Sequence, residues 1–223
     1  MASRPMDKST AGGFDEAILA MATESGSAGH LYASGEAFLR GRHAMRNLAD
    51  AIHHFGYLHG RHPGMVANAR AHTPAPEAKD WFAAAIDGFA KERAYLARLV
   101  VAVGPTPSTP GQAESEAALT GQYHALDMLS QSDRIGCAFG AAVALVLDWT
   151  AIRTTLDQAA ERFGIIPPHC DLPMPDATPA TLRAVATTPS IERAASFGAQ
   201  QLYVQHRGLW DLLEARHIAR GDY

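Results

Sequence analysis

The segment DRIGCAFGAAVALVLDW, residues 133–149, decides the fold. Between Ile135 and Leu147 it has no charged side chain, and its hydrophobic and small residues cover every side of a helix. A helix that is apolar all round is buried in the protein interior. The run is shorter than the roughly 18 residues that a membrane span requires, and Asp148 ends it. We therefore predict a central buried helix over about residues 133–163.

Two glycines lie one helical turn apart within this segment, at Gly136 and Gly140. Ala141 and Ala144 follow on nearby faces of the helix. Small residues at this spacing allow the backbone of a second helix to come close. We interpret them as the surface on which the central helix meets a neighbouring helix.

Segments on both sides of the central helix have hydrophobic residues at steps of three and four, the period of a helix with one buried face. Stretches rich in glycine and proline separate them, and none alternates as a strand does. We predict an all-α fold, an antiparallel bundle of four to five long helices with a short N-terminal helix. Residues 1–13 are predicted to be disordered and residues 14–223 to form a single helical-bundle domain. The other predicted helices are 14–25, 31–57 with an apolar stripe that includes Met45, 76–103, 112–129, a short helix after Thr178, and 189–220. Thr178-Pro179 and Thr188-Pro189 each offer a threonine cap followed by a proline at the first helical position.

The composition argues against several classes of partner. Acidic residues outnumber basic ones 23 to 19 and the net charge is −4, so we expect no nucleic-acid partner. The polar N-terminus lacks the apolar stretch of a signal peptide. The two cysteines, Cys137 and Cys170, do not make a disulfide framework. We expect a cytoplasmic protein that does not bind a membrane.

Two charged residues fall where the core is predicted. Arg93 lies within the apolar stripe of the helix 76–103, and Asp148 follows the apolar half of the central helix. A buried charge without a partner costs several kcal/mol, so each residue requires one. We predict that Arg93 and Asp148 pair across adjacent helices, either to fix their register or to line a polar cavity.

The last predicted helix has a stripe of large amphipathic side chains beside its apolar face. Tyrosine and tryptophan dominate binding surfaces because each offers a large apolar area and a polar group. The stripe predicts a contact surface for a partner or ligand, and the alternative is that it only covers the edge of the bundle. Its members are Tyr203, His206, Trp210, Glu214 and His217.

The chain contains 11 histidines, which raises the question of a metal site. The single Glu-x-x-His motif is Glu214 to His217, whereas a di-iron bundle has this motif on each of two helices. A metal ion held by His206, Glu214 and His217 is therefore an alternative interpretation.

The first long helix also carries histidines. Its residues His43, Asp50 and His54 share a face opposite the apolar stripe, so we predict that they face solvent. His59 lies in line with the stripe and is predicted to be a core or capping histidine.

Two blocks resemble an uncharacterised helical protein family of proteobacteria, a domain of unknown function. The first runs from SDRIGCAFG at residues 132–140 through DWTAIR at 148–153, and the second is QHRGLWDLLEAR at 205–216. The resemblance implies a bacterial helical protein and assigns no activity or catalytic residue.

The sequence has no Gly-x-Ser-x-Gly motif and no glycine loop that follows a strand. We therefore predict no catalytic residue and no cofactor. The first hypothesis is a non-enzymatic helical bundle that associates with itself or with a protein partner. The alternative is a ferritin-like bundle that binds a metal ion or a small ligand.

Overall fold

The computed structural model describes residues 13–221. Over this range the protein is all-helical and has no β-strand, which confirms the predicted all-α class. The predicted disordered segment lies outside the described residues except for Gly13. The helices are α1 (Phe14–Ser25), α2 (Glu36–Leu39), α3 (Ala44–His59), α4 (Met65–Ala71), α5 (Lys79–Val103), α6 (Gln112–Ser130), α7 (Cys137–Arg162), α8 (Thr178–Val185) and α9 (Pro189–Ala219), with 3-10 turns at Ser27–Gly29, Pro76–Ala78 and Pro175–Ala177.

Helix α7 is the centre of the core, as its all-round apolar sequence predicts. Every residue from Cys137 to Trp149 is buried. The most extensive contact of α7 is with α9, and it also touches α1, α3, α4 and α6. Among the described residues, α7 alone is long and apolar enough to cross a membrane, but 83% of its apolar stretch is buried inside the protein. The core helix of a soluble protein has the same properties.

Glycines set the distance between α7 and α9, as predicted for Gly140. A Cβ atom on Gly140 would lie 2.0 Å from the backbone oxygen of Ala195, and one on Gly198 would lie 2.0 Å from that of Cys137. Both distances are far below van der Waals contact, so neither position can hold a side chain at this spacing. A Cβ on Gly136 would also be too close to Ile191, at 2.8 Å.

The predicted helix 31–57 is wrong at its beginning, because α2 ends at Leu39 and α3 begins at Ala44. The side-chain amide of Asn47 donates to the carbonyl oxygen of Ala37 at 3.2 Å and so occupies an acceptor that a continuous helix would use. Met45, which the prediction placed in the apolar stripe, is 45% exposed.

The proline signal before α9 is confirmed, because the Thr188 hydroxyl accepts from the backbone amide of Ile191 and Pro189 is the first helical residue. Thr178 is different from the predicted cap. It lies inside the first turn of α8, and its hydroxyl accepts from the indole nitrogen of Trp81 at 3.4 Å.

Candidate functional site

The predicted pair of Arg93 and Asp148 does not form. Arg93 is only half-buried, beside Gly64, and burial lowers the pKa of its guanidinium. Asp148 is buried but accepts hydrogen bonds from Ser27 and His206 instead. The sequence correctly indicated a buried charge at Asp148 but assigned it the wrong partner.

One buried ion pair of the core joins Glu92, the residue before Arg93, to Arg153 on α7. Arg153 Nη1 donates to Glu92 Oε1 at 2.6 Å, and the two side chains are 6% and 1% exposed. Trp149 Nε1 donates to the second carboxylate oxygen of Glu92 at 2.9 Å. Arg153 also bonds Asp157 one turn further along α7. Glu92 was missed because it lies beside the apolar stripe, on a face of α5 that α7 covers.

The residues predicted to form a contact surface on α9 are in the protein interior. Tyr203, His206 and Trp210 are 1%, 0% and 0% exposed. They cannot touch a partner protein while α9 stays packed on α7, so the predicted contact surface is wrong. Trp210 lines a cavity of about 290 Å³ together with Ser27, and a ligand role for these residues stays a prediction.

The structure does not bring together the predicted metal ligands. His206 is hydrogen-bonded to Asp148 and His59, and Nδ1 of His217 is bonded to Asn47. Glu214 instead lies near His30 and Asp211 at the surface, with one ligand atom of each within 4.8 Å of the others.

This second group is a poor match to a metal site. His30 Nε2 is bonded to Asp211, and its buried Nδ1 has no partner among the described residues. A histidine that binds a metal usually donates its other ring N–H to an acceptor. Metal binding through Nε2 would leave the Nδ1–H of His30 buried and unsatisfied, which is unfavourable.

Helix α3 has a second buried face, which the sequence did not indicate. Asp50 and His54 are 1% and 4% exposed, so the prediction that they face solvent is wrong. Arg216 on α9 covers Asp50 with two parallel hydrogen bonds, Nε to Oδ2 and Nη2 to Oδ1, both 3.0 Å long. His59, predicted as a core or capping histidine, is in the core and is 8% exposed.

Arg216 is the centre of a polar network between α3, α6 and α9. Its Nη1 donates to Gln112 Oε1 at 2.9 Å, and its Nη2 also reaches Pro107 O and Thr109 Oγ1. Arg220 donates to the same carboxylate of Asp50. Two guanidinium groups therefore share one carboxylate, and the network carries one net positive charge.

The network opens onto a cavity of about 360 Å³. Its volume is within the range of about 300 to 1,000 Å³ that is typical of small-molecule sites. Arg216 Nη1 has two N–H groups and one acceptor among the described residues, so one donor remains for a ligand. The cavity is lined by His53, His54, Tyr57, Thr106, Gln112, Ser115, Glu116, Leu119, Thr120 and Arg216.

The imidazole of His54 is a neutral acceptor in this wall. Its Nδ1 donates to the carbonyl oxygen of Asp50 at 2.7 Å, which leaves the Nε2 lone pair available. Burial lowers its pKa from 6.5 to about 4, and the charge of Asp50 only partly opposes this effect.

The lowered pKa makes stability depend on pH. Between pH 6.5 and 4 the unfolded chain protonates His54 while the folded chain does not, so stability falls as the pH falls. We expect this residue to reduce the free energy of unfolding by about 2 kcal/mol from pH 7 to pH 5. Urea denaturation at both pH values should show a smaller loss for His54→Gln than for the parent chain. Equal losses of stability in His54→Gln and in the parent chain would contradict the prediction. The control is His124→Gln, which replaces an exposed histidine.

Another set of hydrogen-bonded polar side chains lies in the core beside this network. His206 Nδ1 donates to Asp148 Oδ2 at 2.6 Å, and His206 Nε2 lies 3.0 Å from Nε2 of His59. The Ser27 amide and hydroxyl donate to the same carboxylate at 2.6 and 2.7 Å. These bonds connect the 3-10 turn Ser27–Gly29, α7, α9 and α3.

Fold and site together define an all-helical protein whose core contains three groups of hydrogen-bonded polar side chains, around Glu92, Asp50 and Asp148. The chain belongs to the family described as Family of unknown function (DUF6975), whose model matches residues 22–221. This confirms the uncharacterised family that the sequence blocks predict, while its proteobacterial origin stays a prediction. The comparisons with curated proteins and with solved structures found no match.

Proposed function

We propose that the protein binds a small organic anion in the cavity beside Arg216. The observation that carries this proposal is a buried arginine, 2% exposed, with an N–H group left over at the wall of a ligand-sized cavity. Its guanidinium is held in place by Asp50, so binding a ligand requires no reordering of the side chain. A charged N–H donor of arginine forms a stronger hydrogen bond with a carboxylate or phosphate oxygen than a neutral donor does.

The charges around the cavity support an anion with an apolar part. Arg216 and Arg220 exceed Asp50 by one positive charge, and burial reduces the screening of that charge by salt. Glu116 opposes it but is exposed at the rim, where Gln112 Nε2 donates to its carboxylate at 2.7 Å. Leu119 and the ring of Tyr57 provide the apolar wall.

Benzoate and benzamide test the proposal because they have the same ring and differ in charge. We expect calorimetry to show saturable binding of benzoate and none of benzamide, since only the carboxylate pairs with Arg216. Inorganic phosphate in a parallel titration separates phosphate recognition from carboxylate recognition. Equal binding of benzoate and benzamide, or no binding of either anion, would refute the proposal.

Gln112→Glu is the decisive variant. The new carboxylate would pair with Nη1 of Arg216 and repel the ligand, so we expect benzoate affinity to fall at least about tenfold without loss of the fold. Glu116→Gln should increase the affinity. Gln131→Glu is the matched control, because it adds the same charge to the other end of α6, about 28 Å away.

We infer that the long helices form one domain. The predicted antiparallel arrangement holds for α3 and α9, where Asp50 bonds Arg216 and His59 lies beside His206. It does not hold for α7 and α9, which run parallel because Gly140 lies against Ala195 and Asp148 bonds His206.

A bacterial, cytoplasmic protein that self-associates also remains a proposal. Exposed Phe197 and Val204 support self-association, because they lie seven residues apart on one side of α9.

A further inference from the structure

The cavity beside Arg216 also contains a hydrogen-bond acceptor, the Nε2 atom of His54. The carbonyl oxygen of Asp50 can only accept, so the hydrogen of the neutral imidazole lies on Nδ1 and the lone pair on Nε2. Within residues 13–221, Nε2 of His54 has no hydrogen-bond partner. It can therefore accept a hydrogen bond from a ligand.

The Nε2 atom of His54 faces the cavity. Other unpaired nitrogens of the described residues, such as the indole nitrogen of Trp210, are sealed inside the core, but Nε2 of His54 is not one of these sealed atoms. Its Nδ1 is bonded to the backbone of the same helix, so the far edge of the ring, with Nε2, is turned away from α3. Only 4% of His54 is exposed, and the residue lines the cavity of about 360 Å³. The accessible edge of the ring is therefore part of the cavity wall.

Asp50 holds both polar groups of this wall in place. Its carboxylate accepts two hydrogen bonds from Arg216, and its backbone carbonyl accepts one from His54. Burial lowers the pKa of His54 to about 4, so the ring is neutral at pH 7 and keeps its acceptor. A cationic donor and a neutral acceptor thus line one cavity in fixed positions.

This acceptor discriminates between ligands. An apolar group that covers Nε2 of His54 removes its water and returns no hydrogen bond, whereas a hydroxyl group restores one. The network of Arg216, Arg220 and Asp50 has one net positive charge, so a neutral donor suits the position better than an ammonium group.

We infer that the ligand is a hydroxy acid, whose carboxylate bonds Arg216 and whose hydroxyl donates to Nε2 of His54. This inference rests on the anion site proposed above and names the class of its ligand. Leu119 and the ring of Tyr57 form the apolar wall beside the carbon skeleton.

Hydroxybenzoates and methylbenzoates test the class of ligand, because a methyl group is close to a hydroxyl in size and has no donor. At pH 7 the carboxylate is charged and the phenol keeps its hydrogen. We expect calorimetry to show that at least one of 2-, 3- and 4-hydroxybenzoate binds about three- to tenfold more tightly than benzoate, through one added hydrogen bond. The methylbenzoate with the same substitution pattern should show no such gain.

Two outcomes of this titration would overturn the inference, and they differ for the anion site. If benzoate binds and no hydroxybenzoate binds more tightly, the hydroxy-acid class is wrong while the anion site stands. If neither benzoate nor any hydroxybenzoate binds, both are wrong.

His54→Phe tests whether His54 is the acceptor, since it keeps a ring in the wall and removes the lone pair. Hydroxybenzoate should lose its advantage over benzoate, while the affinity for benzoate changes by less than about threefold. His124→Phe is the matched control, because it replaces an exposed histidine of α6 that does not line the cavity, and the advantage should remain. An advantage that survives in His54→Phe would overturn the assignment.

Nitrogen NMR of the parent chain tests the same contact independently of how the variants fold. In the free protein at pH 7, Nε2 of His54 should be unprotonated. Its resonance should move when the preferred hydroxybenzoate binds, and move less with the matched methylbenzoate. A hydrogen on Nε2 in the free protein, or equal displacements with the two ligands, would overturn the inference.

Discussion

Gly140→Ala is expected to destabilise the protein by at least about 3 kcal/mol, at the upper end of the cost of overpacking a core. The added methyl group would lie 2.0 Å from the backbone oxygen of Ala195, and no rotamer can relieve a clash between a Cβ and a backbone atom. Helices α7 and α9 would have to separate along their most extensive contact. Guanidinium denaturation measures the loss, and the melting temperature should fall by roughly 6 °C or more.

Gly121→Ala is the matched control for this prediction. Gly121 is exposed on α6, and no atom lies within 4 Å of the position of its Cβ. Alanine is favoured over glycine within a helix by about 1 kcal/mol, so this variant should be slightly more stable than the parent chain. If both variants changed stability by the same amount, the close approach of α7 and α9 would be wrong.

Removing one partner of the Glu92–Arg153 pair is expected to cause the second large loss in the free energy of unfolding. Glu92→Leu removes the acceptor that Arg153 Nη1 and the indole N–H of Trp149 share in the core. Loss of one partner of a buried ion pair costs about 3–5 kcal/mol. Arg153→Met should be similarly costly, because it leaves the carboxylate of Glu92 buried. Denaturant unfolding at neutral pH measures both losses.

The double variant Glu92→Leu/Arg153→Met separates the pair from other effects of the two substitutions. It removes both charges, so its loss should be smaller than the sum of the single losses by about 1–3 kcal/mol. Arg93→Met is the control beside Glu92. Arg93 is half-buried and makes no ion pair within residues 13–221, so its replacement should cost less than about 1 kcal/mol. Additive single losses would contradict the pairing.

The helices and the centre of the fold could be predicted from local sequence. The apolar run before Asp148 identifies α7 as the buried helix, because a helix with no polar side has no side to expose. Gly140 indicated the close contact of α7 with a neighbour, although the identity of α9 as that neighbour came from the structure. The Thr-Pro pairs at residues 178–179 and 188–189 indicated where α8 and α9 begin, to within a residue or two.

The candidate sites could not be predicted in the same way. Periodicity identifies the apolar face of a helix and treats the remaining faces as exposed. Helices α3 and α9 each bury a second, polar face, so Asp50 and His54 were expected in solvent and His206 at the edge of the bundle. The pairing of Asp50 with Arg216 joins residues 166 positions apart, and no local pattern encodes such a separation.

The sequence by itself thus determined the helical class, the buried position of α7 and the glycine contact surface, since these depend on the side chains of a single helix. Only the tertiary structure decided which charges meet. Glu92 forms a buried ion pair with Arg153, whereas the sequence predicted Arg93 with Asp148. The tertiary structure also brings together His59, His206 and Asp148 from three helices. The physical reason is that a buried charge requires a partner of suitable chemistry, while the packing of the helices determines which partner is within reach.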